Sequence, residues 1–376
     1  MESSNKIGFA EALGILLIVV YAHLILLLPK IIIEDQGTGS VINIIYVTLL
    51  ALFAVYVLNL LYKKFKGMDI LDVSGFLFGN KFKFIVGLVY IAHAIFIASL
   101  LLRNTSENLK TTYFQNTPTP YIAFFMLVGV AFLNRFSLKT IIKCNLIIVP
   151  IIAVSFIVLF VLSSENFVLE RVFPILGYGS ETTFLKGSAN IFCFGNLFFL
   201  LLIMPYLKDT NHFKKLSYVS VILSGFFIFI TILGILLIFP LNVASTSNIP
   251  LYMQTRTLTF GKLLQRLDAL FILIWDLNIL SYLSIIVGFA VSIFKKIANL
   301  QTGKTISYTF VLILMGASLI YRNIIETRLL DSDWYKYLTL GLVFGMGFLI
   351  LLLANIKGII KDKKRINKGE KQIDSK

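Results

Sequence analysis

The chain consists of long apolar runs, each about as long as a lipid bilayer is thick. A helix needs roughly 20 predominantly apolar residues to cross the hydrocarbon core of a membrane. Runs of this length recur along the whole chain and are separated by short polar stretches. This pattern predicts an all-α integral membrane protein and argues against an ordinary soluble enzyme.

About ten transmembrane helices are predicted, five followed by five. The spans lie near residues 9–33, 41–62, 84–102, 121–133, 141–162, 184–207, 216–241, 263–294, 308–321 and 337–356. The fourth and ninth are short, and apolar stretches of about 14 residues can also be re-entrant. We expect one transmembrane permease-like domain over residues 1–356 and a basic tail over residues 357–376.

Composition excludes several classes of function. Of the 376 residues, 58% are hydrophobic and only 14% are charged, whereas about a quarter of a soluble domain is charged. The two cysteines, Cys144 and Cys193, lie in apolar runs without a CxxC motif, so neither a disulfide framework nor a metal site is predicted. The sequence contains no HExxH, GxSxG or GxxxxGK[ST] motif. We therefore predict no catalytic residues, no cofactor and no enzymatic activity.

The net charge of +15 is distributed unevenly across the predicted membrane. When the loops are assigned to alternate sides, roughly 23 of the 34 lysines and arginines fall on one side. The positive-inside rule places that side, and with it both termini, in the cytoplasm. The basic residues then act as topology signals next to membrane lipid, and no nucleic-acid partner is expected.

Spans one and six carry features that are typical of broken helices. Five spans followed by five is the order of inverted-repeat transporters, in which these two spans correspond and are interrupted near the bilayer midplane. Unwound backbone at that depth is tolerated only where it lines a cavity or binds something. We therefore expect a ligand-binding site formed by two short segments, Tyr21, Ala22 and His23 in span one and Phe194, Gly195 and Asn196 in span six.

Three further polar side chains within spans are candidates for the same site. A charged group at the bilayer centre costs about 2.5 kcal/mol or more unless it is paired or hydrated. Asp276 follows Trp275 in span eight, and a substrate amine, a cation or His93 of span three could be its partner. An acid that only hydrogen-bonds to neighbouring helices is an equal alternative, and packing is the commoner role for His23 and His93.

Two other features leave alternatives open. Glu11 follows Gly8 at the start of span one, where capping of the helix N-terminus is favoured over a place in an inner gate. The outer loop over residues 163–183 is rich in turn-forming residues. It fits a segment folded back over the outer face and a passive connector equally well.

Residues along nearly the whole chain resemble one family, the B subunits of bacterial spore germinant receptors. This family is a branch of the amino acid/polyamine/organocation transporter superfamily. No single motif is specific, and the order and spacing of the motifs carry the resemblance. They are Leu28-Pro29, Phe78-Gly79-Asn80-Lys81, Tyr90, Arg103, Glu107, Thr117-Pro118, Phe173-Pro174, Gly177 to Gly179, Phe194-Gly195, Pro205 and the run from Arg266 to Trp275.

The resemblance implies a fold similar to that of bacterial amino acid permeases and a site between spans one, three, six and eight. It also implies residence in the spore inner membrane, a channel-forming A subunit and a lipoprotein C subunit as partners, and a small nutrient germinant as ligand. The chain departs from the family at Asn196, where glutamate is common, and at Glu11, where an early glutamine is usual. If these positions set ligand chemistry, the germinant differs from the small neutral amino acids usual in the family.

Three functions are therefore compatible with the sequence. The first is a sensor that binds an amino acid germinant and signals to a partner ion channel. The second is an amino acid transporter driven by H⁺ or Na⁺, with Asp276 or Glu11 coupling to the ion. The third is a structural channel subunit without a ligand of its own.

Topology gives a first prediction. The loop over residues 63–83 should face the cytoplasm and the loop over residues 163–183 the outside, because lysines cluster in the first and acids in the second. Single cysteines at positions 64 and 170 test this with a membrane-impermeant thiol reagent. Labelling from outside at position 64, with position 170 protected, would overturn the topology.

Overall fold

The structure is a computed structural model that describes residues 6–26, 28–247, 249–258, 267–300, 304–321 and 334–358. Within these ranges the regular elements are helices. They are α1 (Phe9–Ile25), α2 (Leu28–Gln36), α3 (Ser40–Tyr62), α4 (Ile70–Phe78), α5 (Asn80–Thr112), α6 (Thr119–Leu133), α7 (Leu138–Leu162), α8 (Leu197–Ile203), α9 (His212–Ile238), α10 (Leu241–Thr246), α11 (Pro250–Arg256), α12 (Leu267–Ala298), α13 (Lys304–Leu319) and α14 (Tyr335–Gly358).

Each of the ten predicted spans has a counterpart in the described part of the chain. Six helices are long and apolar enough to cross a membrane, a bent pair forms a seventh crossing, and α1, α6 and α13 are shorter apolar helices. Large apolar side chains point outward from these helices, with Phe53 66% and Ile147 70% exposed. Outward-facing apolar surface of this kind is typical of helices that face membrane hydrocarbon. The start of span eight, residues 263–266, and the tail beyond residue 358 lie outside the described residues.

Span one is broken, but the break lies further along the chain than the sequence analysis expected. Residues 19–23 are regular helix within α1, which ends at Ile25. The next helix begins at Leu28, with Pro29 in its first turn. A proline at position 29 has no N–H to bond to the carbonyl of Ile25, and its ring would clash with that carbonyl. Pro29 therefore places the break after Ile25, and the expectation of unwound backbone at Tyr21 to His23 is wrong.

Span six is broken where the sequence predicted it. Its first half is irregular, with a π-helical turn over Glu181–Leu185 followed by a 3₁₀ helix over Lys186–Phe194. The chain bends by 44° before continuing as α8. The Gly195-Asn196 pair lies at the bend, because both residues have weak helix propensity.

Asn43 of α3 holds the irregular half of span six in place. Its side-chain amide donates hydrogen bonds to the carbonyls of Thr183, at 2.7 Å, and Gly187, at 3.0 Å. Its side-chain carbonyl accepts a third hydrogen bond from Asn190 at 2.9 Å. Asn43 is fully buried, so it supplies hydrogen bonds that water cannot supply at this depth.

The third span is longer than predicted, running as α5 from Asn80 to Thr112 instead of from residue 84 to 102. Its last three turns are polar yet buried, with Arg103 only 8% and Asn104 only 2% exposed. The Arg103 guanidinium lies 2.7 Å from the carboxylate of Glu107. Because the charges are paired inside the protein, the polar composition that marks an exit from the membrane does not end the helix.

The outer loop over residues 163–183 folds back over the helix ends. Of the two alternatives, it is therefore a segment folded over the outer face and not a passive connector. Arg171 donates hydrogen bonds to the carbonyls of Leu237 and Ile238 at the C-terminus of α9. Thr38, between α2 and α3, donates to the carbonyl of Pro174 at 2.5 Å. A cation near the last carbonyls of a helix also complements its dipole.

Most basic loops meet at one end of the helix bundle, which we call the basic face, defined by Lys83, Lys139, Lys208, Lys296 and Lys357. Lys296 lies 2.6 Å from carboxylate oxygens of both Asp69 and Asp72, which joins α12 to the start of α4. Burial raises the pKa of Asp69 against the opposing effect of Lys296.

The two broken spans are joined at the basic face by a short backbone strap. Ile7 donates to the carbonyl of Tyr206 at 2.7 Å, and Lys208 donates to the carbonyl of Ile7 at 2.9 Å. Glu11 accepts from the backbone N–H of Gly8 at 2.6 Å and so completes the start of α1, which is the favoured capping role. The strap ties the start of span one to the end of span six.

The role of Asn43 gives a second prediction. Asn43→Ala removes all three of these buried hydrogen bonds. A typical intramolecular hydrogen bond contributes about 0.5–1.5 kcal/mol, so thermal stability in detergent should fall substantially. Asn116→Ala is the matched control, because Asn116 is exposed. Equal melting temperatures for the two variants would contradict the role given to Asn43.

Candidate functional site

The predicted site residues lie in three neighbouring environments around the breaks in spans one and six. These are a small cavity beside the end of α1, an aromatic cluster at the bend of span six, and a packed region between α5 and α8. The structure brings most of the candidates to these places, with Tyr21 as the main exception.

The cavity lies where α1 ends, and it contains the deepest acid of span eight. Its volume is about 30 Å³, and α1 contributes Ile25 and Leu26 to its wall. Trp275 and Asp276 of α12 line the opposite wall, together with Asn108 of α5. A volume of this size holds about one water molecule or a small cation. The end of α1, the last turns of α5 and the first turns of α12 therefore meet at this cavity.

A second acid of α12, Asp268, lies further toward the face opposite the basic face. Tyr113 and Tyr252 donate hydrogen bonds to one oxygen of Asp268, at 3.2 and 3.4 Å. Burial raises the pKa of the Tyr113 phenol, and Tyr252 and Asp268 raise it further. The phenol therefore stays protonated and remains a donor at neutral pH. Tyr252 also lines the Asp276 cavity, so these residues form its outer boundary.

At the bend of span six, Tyr335 of α14 connects the two broken spans. Its ring stacks on the imidazole of His23, with centroids 5.0 Å apart and an interplanar angle of 15°. It also packs edge-on against Phe192 at 5.5 Å. A Cβ atom on Gly195 would lie 3.2 Å from the Tyr335 hydroxyl. Gly195 therefore allows Tyr335 to contact His23 and the bend at once.

Asn196 is part of the packing at the bend. Its side-chain amide donates to the carbonyl of Leu16 in α1, at 3.3 Å, and to the hydroxyl of Ser224 in α9, at 3.1 Å. Asn196 is fully buried, and its neighbour Phe194 is as well. The amide therefore ties span six to spans one and seven.

His93 and Tyr21 lie apart from the aromatic cluster. His93 of α5 packs against Phe198 of α8, with ring centroids 5.5 Å apart. Tyr21 faces Phe156 of α7 and Phe227 of α9, at 5.4 and 5.0 Å. Two residues along a helix turn the side chain by about 200°, so Tyr21 and His23 point to opposite sides of α1. The fully buried Ala22 lies between them.

Several buried polar atoms in these environments have no hydrogen-bond partner among the described residues. They are Nε2 of His23, both ring nitrogens of His93, Oδ1 of Asn196, Nε1 of Trp275, both amide atoms of Asn278 and Oγ1 of Thr339. About 90% or more of buried polar groups in proteins are paired. The atoms named here lie in the three environments that contain the candidate site residues, where a polar ligand could bond to them. Among the described residues, no cluster of His, Cys, Asp or Glu is placed to hold a metal ion.

The sequence analysis missed Tyr335, Asn108 and Tyr252. Asn108 lies in the polar end of α5, which the sequence analysis took for a loop. Tyr335 follows Trp334 at the start of span ten, a pattern that resembles an interfacial aromatic belt. The available signal was the spacing of Arg103 and Glu107, because opposite charges four residues apart stabilise a helix.

Comparison with known sequences gives a family match over most of the chain. A family model described as spore germination protein matches residues 6–327. Two relatives come from Bacillus subtilis strain 168. Spore germination protein KB is 20% identical over 248 residues, which cover 63% of this chain and 65% of that protein. Spore germination protein B2 is 20% identical over 275 residues, which cover 73% of this chain and 75% of that protein. The chain thus matches slightly less than two thirds of the length of protein KB.

Two solved structures share the fold. MhsT in complex with L-phenylalanine superposes with a TM-score of 0.61 at 13% identity, covering 91% of this chain and 98% of that chain. Mhp1, a nucleobase-cation-symport-1 family transporter with bromovinylhydantoin bound, gives a TM-score of 0.61 at 13% identity, covering 92% and 78%. The predicted all-α, five-plus-five permease-like fold with broken helices one and six is confirmed.

The contact between Gly195 and Tyr335 gives a third prediction. Gly195→Ala places a methyl group against the Tyr335 hydroxyl, and overpacking of this kind costs about 1–3 kcal/mol. Tyr335→Phe removes that hydroxyl, so the double variant should regain part of the lost thermal stability. Gly316→Ala is the control, because a Cβ at Gly316 meets no atom within 4 Å. Additive losses in the double variant would exclude direct contact as the cause.

Proposed function

Because this chain belongs to the spore germination protein family, we propose that it senses a nutrient germinant in the membrane and signals to a partner ion channel. The germinant in this proposal is a small molecule, an amino acid, that binds midway across the bilayer between the two broken helices. The protein is an integral membrane protein whose family and fold are those of receptors and transporters.

The unpartnered buried polar atoms among the candidate site residues carry this proposal. Each such atom costs about 1–3 kcal/mol if nothing bonds to it. A polar ligand that bonds to several of them would recover that free energy. Asp276 is placed to accept the ammonium group of an amino acid, and the Trp275 and Asn278 donors lie on the same helix. This proposal keeps all nine predicted residues, including Tyr21, Ala22 and Phe194, as ligand-binding residues.

The small size of the cavity suggests how binding could produce a signal. About 30 Å³ has room for one water or an ammonium group and is far too small for a whole amino acid. Binding of an amino acid therefore requires the end of α1 to move away from α12. A ligand that binds only the rearranged state shifts the population toward it. In this proposal that shift is the signal.

The element after the break is tied to the last span. Asp35 of α2 lies 2.7 Å from the ammonium group of Lys336 in α14. Lys336 also lies over the ring of Phe192, 5.7 Å from its centroid, just before the bend of span six. Movement of α2 would therefore displace α14 and span six together. These two contacts provide a path from the Asp276 cavity to the lipid-exposed side of α14.

Location and partners complete the proposal. The protein resides in the spore inner membrane with the basic face and both termini in the cytoplasm. It assembles with a channel-forming A subunit and a lipoprotein C subunit, as the resemblance to germinant receptors implies. The basic face supports this orientation, because the lysines that define it lie at one end of the bundle.

Transport is the second candidate function, and the fold favours it. MhsT was solved with L-phenylalanine, and Mhp1 is a cation symporter. In this alternative, Asp276 or Glu11 would couple substrate movement to H⁺ or Na⁺. Uptake of radiolabelled amino acids by proteoliposomes separates the two functions. A sensor binds the amino acid without concentrating it, whereas a transporter accumulates it inside.

Asp276 gives a fourth prediction. If it accepts the ligand ammonium group or a cation, Asp276→Asn keeps the shape but loses the charge, and the half-maximal germinant concentration should rise tenfold or more. Tenfold corresponds to about 1.4 kcal/mol. The measurement is a germinant titration of variant spores with protein abundance checked by immunoblot. Asp209→Asn serves as control, because Asp209 is exposed on the basic face.

The alternative reading of Asp276 makes a different prediction. An acid that only packs against a neighbouring helix tolerates asparagine with about 1 kcal/mol of stability change or less. A normal half-maximal concentration at normal abundance would remove Asp276 from the binding site.

A further inference from the structure

A second cavity opens at the basic face, well separated in the fold from the Asp276 cavity. Its volume is about 270 Å³. Its walls come from the connection between α6 and α7, the last turns of α12, the start of α13 and the strap that joins spans one and six. Arg135 and Ser137 are exposed, so the cavity is open to the surface.

The lining of this cavity is basic. Arg135, Lys139 and Lys295 line it, and no described residue in its wall is acidic. Among the described residues, Arg135 and Lys295 have no carboxylate within salt-bridge distance. The adjacent Lys296 is different, because Asp69 and Asp72 both neutralise it at 2.6 Å. Two consecutive lysines of α12 therefore have opposite electrostatic roles.

The neutral groups in the wall are also suited to an anion. The first residues of α7 lie in the wall, and the N-terminus of a helix presents free N–H groups and a partial positive charge. Ser137 caps this helix by accepting a hydrogen bond from the backbone N–H of Thr140, at 3.3 Å. The Ser292 and Tyr206 side chains also line the cavity, and the Ser292 hydroxyl donates its proton to the carbonyl of Gly288 at 2.9 Å. Positive charge and a helix N-terminus therefore meet at one concave space.

We propose that this cavity binds a phosphate-bearing anion at the basic face. A guanidinium pairs with phosphate through two parallel hydrogen bonds, and lysines add charge without strict geometry. Topology signals alone require basic residues only somewhere on this side of the membrane. They do not require three of them to line one cavity together with a helix N-terminus.

The cavity also contacts the strap between the broken spans. Ile7 and Tyr206, which hydrogen-bond to each other in the strap, both line it. An anion bound there lies against the joint of spans one and six. Occupancy would therefore favour the arrangement in which the strap is formed. This inference concerns a different surface from the germinant site and does not depend on the proposed function.

The test uses the purified full-length protein and two sources of phosphate. In detergent, inorganic phosphate is titrated at constant ionic strength while the melting temperature is followed. In a second arm, the protein is placed in phosphatidylcholine vesicles with or without phosphatidylglycerol, and thermal stability is compared. The double variant Arg135→Gln/Lys295→Gln loses two charges from the cavity. Lys64→Gln/Lys81→Gln loses two charges from exposed positions on the same side.

Two results support the site and identify its source of phosphate. If phosphate stabilises the wild type and the Lys64/Lys81 variant, and the Arg135/Lys295 variant needs at least tenfold more phosphate for the same rise in melting temperature, the ligand is a soluble phosphate. If the two double variants differ in stability only in vesicles that contain phosphatidylglycerol, the ligand is a lipid headgroup. If the two double variants respond alike in both arms, the site does not exist. Lys295→Gln alone, expected to show a smaller loss, keeps the test valid if the double variant misfolds.

Discussion

Inside hydrocarbon no water is present to bond to a free backbone amide or carbonyl, and the irregular segments within the described spans depend on how that need is met. Side chains from neighbouring helices meet it. Asn43 bonds to the carbonyls of the irregular half of span six, and Asn196 bonds to the carbonyl of Leu16. Tyr62 donates to the carbonyl of Leu201 at 3.0 Å, just beyond the bend. The broken helices are stable because asparagine and tyrosine side chains replace the missing water.

The same constraint explains why the candidate site lies between the broken spans. A regular helix satisfies its own backbone and offers a ligand only its side chains, whereas a broken helix brings backbone ends and side chains to one place. Here the end of α1 and the acid of α12 converge on a single small cavity, and Tyr335 joins His23 to the bend of span six. Ligand chemistry and helix geometry are therefore coupled at the same residues. In the proposed function, this coupling converts binding into a change of shape.

Contacts at both ends of the bundle limit how the broken spans can move. The strap through Ile7 joins them at the basic face, and the Asp35–Lys336 pair joins α2 to α14 at the other. Between these points the helices pack closely around buried side chains, so displacement of one span shifts its neighbours. The charges near the basic face are partly neutralised, as at Lys296, and partly left to face a cavity, as at Lys295. The net charge of +15 does not distinguish these two kinds of lysine.

The sequence by itself determined the fold class, the ten spans and the break in span six, because hydropathy, chain length and helix propensity are local properties. It also contained Pro29, which sets the break in span one. The polar residues Tyr21 and His23 predicted a different position for that break, and this prediction was wrong. Tertiary structure alone decided which way each span is rotated. Rotation set Tyr21 against Phe156 and Phe227, brought Tyr335 to His23, and buried the paired Arg103 and Glu107. The contacts of Tyr21 and Tyr335 join residues distant in the chain, and the burial of the Arg103–Glu107 pair depends on neighbouring helices, so no local pattern records either.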